Sequence, residues 1–143
     1  MNLPCHSPQH ASEFAERVSC ISDSTLNRIP RSFAQTLTYH IKQSGLTNES
    51  LEALTGITVR SLSRYRNGKS RPSLQDLTLI CLALHLEPDY SEDLVFQAGY
   101  TWRTGNEKDI ACHILLREFY KYSLDSIDEH LRIANIKRTK SYV

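Results

Sequence analysis

No Asp or Glu occurs between Glu52 and Asp76, while Arg60, Arg64, Arg66, Lys69 and Arg71 all fall inside that gap. Five cations with no local acid form a positive patch. Net charge conceals it: 17 Lys and Arg stand against 16 Asp and Glu, so bulk composition argues neither for nor against a polyanionic partner. Acids return as a run at Glu87, Asp89, Glu92 and Asp93, and the chain turns basic again at Arg132, Lys137, Arg138 and Lys140. Each run alone reads as a solvated surface, but their segregation points to one side that addresses phosphate.

Other absences close off whole classes of function. The longest nearly apolar run, Leu77 to Leu84, is far too short to span a bilayer, and no basic-then-apolar leader is present. The expectation is a soluble, cytoplasmic chain with no membrane partner. Cysteines are few and widely spaced (Cys5, Cys20, Cys81, Cys112), which implies a reducing compartment, and Cys81 reads as a small buried hydrophobe. Cys5, His6, His10 and Cys20 match no common zinc-ligand spacing, so no metal and no cofactor is expected. Cys112-His113 reads as a helix position with one buried and one exposed side chain, and His40 and His85 as helix-edge residues. With no nucleophile elbow, phosphate-binding glycine loop or metal-binding His pair, an enzyme is not expected.

Long alternating strand patterns are also missing, which makes the fold class all-α. Residues 1–30 are polar and broken by Pro4, Pro8 and Pro30, and read as a tail with at most one short helix around Phe14, Val18 and Ile21. Residues 31–102 carry five short helical patterns. The first, from about Ser32 to Ser44, has Phe33, Leu37 and Ile41 on one stripe and Gly45 as its stop. Thr47 caps a second, with Leu51 and Leu54, that Gly56 ends within about two turns. Thr58 caps a third, with Leu62 and Tyr65 inward and Asn67-Gly68 after it. Ser73 and Asp76 stand at capping-box spacing before a fourth, whose stripe is Leu74, Leu77, Ile80 and Leu84. A fifth follows Pro88, with Tyr90, Leu94 and Ala98, and closes at Gly99.

Two short helices joined at Gly56-Ile57, the second with a polar and basic outer face, suit insertion into a major groove about 12 Å wide. Val59, Arg60, Ser63 and Arg64 form one contiguous face opposite Leu62 and Tyr65, and folding needs no arginines there. Arginine's planar fork fits O6 and N7 of guanine, and Val59 suits a thymine methyl. Asn48, Thr58, Asn67, Lys69 and Arg71 are the candidates for phosphate contact, which fixes register without reading sequence.

These residues carry a resemblance. Gly45-Leu46-Thr47, Leu51, Gly56-Ile57-Thr58, Leu62 through Lys69, and Arg71 through Leu74 together resemble the lambda-repressor-like, Cro/XRE type of helix-turn-helix domain over residues 32 to about 100. The resemblance implies a five-helix domain whose third helix reads duplex DNA through Val59, Arg60, Ser63 and Arg64, in a dimeric transcriptional regulator, here expected to be a repressor. An antitoxin or a protein-interaction module in which DNA binding is secondary is the alternative. Three positions depart from the family pattern. Asn48 stands where Gln is preferred, Glu52 where a small residue packs, and Arg66 where an acid is frequent. Because a carboxylate is not buried unpaired, Glu52 predicts a slightly displaced second helix that uses Ala53 in the contact.

Residues 103–143 read as an extension with two helices. The first runs from about Glu107 to Tyr122 with Ile110, Ile114 and Phe119 as its stripe, and the second from about Leu124 to Asn135 with Leu124, Ile127 and Leu131. With Leu116 added, this is more apolar surface than two helices hide against each other. It either folds back on Phe96, Tyr100 and Trp102 or pairs with its twin, and the prevalence of two-fold symmetry favours a homodimer. Helical stripes reveal no ligand pocket, so the sequence leaves any small-molecule effector open.

Overall fold

Hydroxyl caps and left-handed glycines divide the chain into short helices, in the order their residues dictate. The computed structural model describes residues 11–16 and 32–138. Residues 11–16 are helical and exposed throughout, and the Cys5, His6, His10 and Cys20 positions lie outside the described residues. Helix α1, Phe33–Ser44, starts where Ser32 Oγ accepts from the Gln35 amide, and α2, Asn48–Thr55, where Thr47 does the same for Ser50. Thr58 opens α3, Val59–Arg66, and Ser73 opens α4, Leu74–Ala83, in the same way. Each side-chain acceptor satisfies one of the amides that a helix start leaves unpaired. Gly45 and Gly56 stop α1 and α2 at φ 77° and 78°, where a Cβ would be strained.

Helix α5, Pro88–Gln97, begins on a proline, whose missing N–H costs nothing in the first turn. Helices α6, Glu107–Glu118, and α7, Asp128–Ile133, complete an all-α structure among the described residues. The expected second helix of the extension is therefore shorter than its apolar pattern. Residues 124–127 form turns, while Leu124, Ile127, Leu131 and Ile136 are still buried. Periodicity reported burial there, not helicity.

The core centres on α4. Every residue from Leu77 to Leu84 is buried, because α4 packs against α2, α5 and α6 and has no solvent side left. A helix apolar all round is one surrounded by protein. The stripe expected on α4 was thus too narrow.

Helix α6 is rotated relative to expectation. Asp109, Cys112, Leu115 and Leu116 are buried, whereas Ile110 and Ile114 are 47% and 44% exposed and only Phe119 of the expected stripe packs on the core. Two apolar stripes compete on this helix, and polar ties select between them. Asp109 accepts from the Arg103 amide at 2.8 Å and from its Nε at 3.0 Å, and His113 Nε2 lies 2.8 Å from Glu92 Oε1 on α5. The Trp102 ring stacks on His113 at 4.5 Å, so the linker between α5 and α6 is folded onto α6.

His40 is a second correction. It is 5% exposed, wedged edge-on between Tyr39 and Tyr90, rather than at a helix edge. Burial holds its imidazole below the ordinary value, and the Asp93 carboxylate pulls weakly the other way. Cys81 is fully buried, which pushes its thiol up to about 12, and Cys112 is also buried with a raised pKa, so neither supplies a thiolate nucleophile.

Candidate nucleic-acid interface

Helix α3 owes its orientation to two residues on its inner face. Leu62 is wholly buried, and Tyr65 is nearly so, its hydroxyl donating to Asp76 Oδ2 at 2.8 Å. Burial and that carboxylate raise the phenol's pKa, so Tyr65 stays a donor. The Asp76 side chain is thereby turned to α3, and only the Ser73 half of the expected capping box forms. The opposite face of α3 is what remains for solvent. Arg60 and Arg64 are exposed there, with Val59 and Ser63 half-buried beside them. Among the described residues no carboxylate pairs with Arg60, Arg64 or Lys69.

The α2–α3 pair is braced at both ends, at the turn that joins the two helices and at their far ends. Glu52 is exposed, and its Oε1 accepts from the Val59 amide at 3.1 Å, capping the start of α3. The carboxylate thus serves the positive end of a helix instead of being hidden. Ala53 is exposed as well, so the expected contact through it is absent, and Leu51 and Thr55 are the buried residues of α2. At the other end, Arg66 Nη1 donates to Asn48 Oδ1 at 2.8 Å. Two of the departures from the family pattern, Asn48 and Arg66, are therefore partners of each other.

The candidate phosphate residues differ in how free their side chains are. Thr58 is exposed with its hydroxyl in the cap, and Asn67 Nδ2 donates to Ser63 Oγ at 3.3 Å. Arg71 is exposed, with its guanidinium 4.2 Å above the Tyr100 ring, and the Tyr100 hydroxyl donates to the Pro72 carbonyl at 2.8 Å. Those contacts hold the loop after α3 against the end of α5. Lys69 is exposed and extends from that loop.

The basic C-terminal run contributes less free charge than its sequence suggests. Arg132 is paired with Glu129 through Nε at 3.0 Å, and the Arg138 side chain is only 6% exposed against α2 and two acids. Sequence reasoning had no signal for Glu52 or Arg138 as positioning groups, because each works across a turn or across the whole chain. No group of His, Cys, Asp or Glu among the described residues is arranged to hold a metal ion, and no helix among them is long and apolar enough to cross a membrane.

Residues 40–91 match a family model described as helix-turn-helix, a span that begins inside α1 and ends inside α5. No curated protein and no solved structure matches the chain.

Proposed function

Residues 40–91 being a Cro/XRE-type helix-turn-helix domain, which supports a DNA-binding, regulatory role in general, we propose that this protein is a transcriptional repressor that reads duplex DNA by laying α3 in the major groove. The observation that carries this reading is the pair Arg60 and Arg64. They are exposed, unpaired with acid among the described residues, and one turn apart on a helix whose other side is anchored in the core. In this reading Val59, Arg60, Ser63 and Arg64 face base edges. Lys69 and Arg71 meet the flanking phosphates by charge, and Asn48, Thr58 and Asn67 meet them at the helix ends. The test is binding to duplex DNA over a salt series. Real phosphate contacts make log Kobs fall linearly with log salt, by about 0.9 for each phosphate neutralised.

One half-site per domain calls for a second copy, and the exposed Ile110 and Ile114 on α6 supply a face for pairing into a homodimer. The same two isoleucines favour the alternative, a protein-interaction or antitoxin role with DNA binding secondary. Binding to DNA that is insensitive to salt would favour it.

A further inference from the structure

We infer that Arg138 is a positioning residue for the DNA interface: it clamps the C-terminal end of α2 to the extension and so fixes how the α2–α3 pair is presented. This rests on the DNA-reading role proposed for α3. A helix end leaves its last carbonyls without intrahelical partners. In α2, Gly56 N takes the Glu52 carbonyl at 2.8 Å, and Thr55 Oγ1 donates to the Leu51 carbonyl at 2.7 Å. The Leu54 carbonyl is met from 84 residues away. Arg138 donates to it from Nε at 2.8 Å and from Nη2 at 2.6 Å.

The remaining arm of the guanidinium faces the extension. Nη1 lies 2.7 Å from Asp125 Oδ1 and 3.5 Å from Asp128 Oδ1, so one cation joins the negative end of α2 to the turn before α7 and to the start of α7. The acids are 76% and 69% exposed, but the Arg138 side chain is 6% exposed. It is therefore placed to hold α2 and not to reach a phosphate. The planar fork sets two nitrogens on the Leu54 carbonyl and the third toward the carboxylates in one fixed geometry, which the compact ammonium of a lysine does not reproduce.

Helix α2 does not move alone. Glu52 ties it to the start of α3 and Asn48 ties it to Arg66 at the far end, so the two helices are joined as a unit. Packing of α2 on α4 is apolar and weakly directional. The Arg138 clamp adds a directed tie between that unit and the extension, which explains how a segment remote from the reading face acts on it.

The test compares full-length wild type with Arg138→Ala and Arg138→Lys, binding a short random-sequence duplex over a salt series well below each variant's Tm. Amide hydrogen exchange is followed in α2, α3 and α6. The expected result for Arg138→Ala is about tenfold weaker binding at fixed salt, the scale of one lost charge-assisted tie. The salt slope stays that of wild type, exchange is faster in α2 and α3 but not in α6, and Arg138→Lys does not restore affinity. Unchanged affinity in Arg138→Ala overturns the inference. So does a slope reduced by about one with rescue by lysine, which would make Arg138 a phosphate contact. Faster exchange in α6 as well would make it a general stability residue and overturns it too. If wild type itself shows no salt-dependent binding, the DNA-reading role fails first, and this inference fails with it.

Discussion

Arg60, Arg64 and Lys69 share one property that separates them from Arg66 and Arg71: each is exposed and its side chain has neither an acidic, a hydrogen-bond nor a ring partner among the described residues. Arg66 is spent on Asn48, and Arg71 lies over Tyr100. Lys69→Ala should therefore weaken binding to all duplexes alike and lower the salt slope by about one, as measured by titration on specific and random DNA. A change in base preference at constant slope would contradict its assignment to phosphate. His40 offers an independent check on the packing of α1 against α5. Its folded pKa is depressed by burial, so the unfolded chain binds the extra proton first. The stability it contributes is present above its ordinary value near 6.5 and is lost as pH falls through the lower folded value. Tm should fall with pH below about 6.5, and His40→Leu should flatten that part of the profile; an unflattened profile would show that His40 is not the group responsible. Local chemistry made the caps and the arginine face legible, since Thr47, Thr58 and Ser73 act within three residues of themselves. His40 was not legible, because whether a lone His is covered depends on Tyr90 from another helix.

Helix α6 shows where periodicity stops being informative. Ile110 and Ile114 make one apolar stripe and Cys112, Leu115, Leu116 and Phe119 another, and hydrophobicity alone does not rank them. The choice is made by Arg103–Asp109 and Glu92–His113, contacts that require the tertiary fold. The consequence for stability is sharp. Leu116→Ala, at a fully buried site, should cost about 2–5 kcal/mol in denaturant unfolding, whereas Ile110→Ala should cost under about 1 kcal/mol. Equal costs would mean that α6 faces α4 differently. The same geometry explains why α4 is buried on all sides: the extension covers the face that α2 and α5 leave open. Helices α1 to α5 were legible nearly to their ends because each is bounded by a cap, a glycine or a proline. The start of α7 carries no side-chain cap, and the sequence offered no mark for it.

At the scale of the molecule, the extension has a buried inner face and an outer face that bears the exposed Ile110 and Ile114, the surface proposed for pairing. Its inner face completes the core, so deleting the extension would strip α4 of its cover and unfold the helix-turn-helix domain with it. Pairing is better tested on the outer face. Ile110→Asp with Ile114→Asp should leave the fold in place and convert a homodimer to monomer in sedimentation at micromolar concentration, with weaker binding to a two-half-site duplex. Unchanged sedimentation would remove α6 from the pairing surface. Two copies set about 34 Å apart, one duplex turn, are what a palindromic site requires. The central claim, that the outer face of α3 reads base sequence, is tested most directly by selecting bound sequences from random duplex DNA with wild type and with Arg60→Ala and Arg64→Ala. The account predicts a recovered motif for wild type, a loss of about 1–3 kcal/mol for each variant on that motif, and relaxed preference at one base position each. A motif recovered unchanged by both variants, or no motif with wild type, would contradict it.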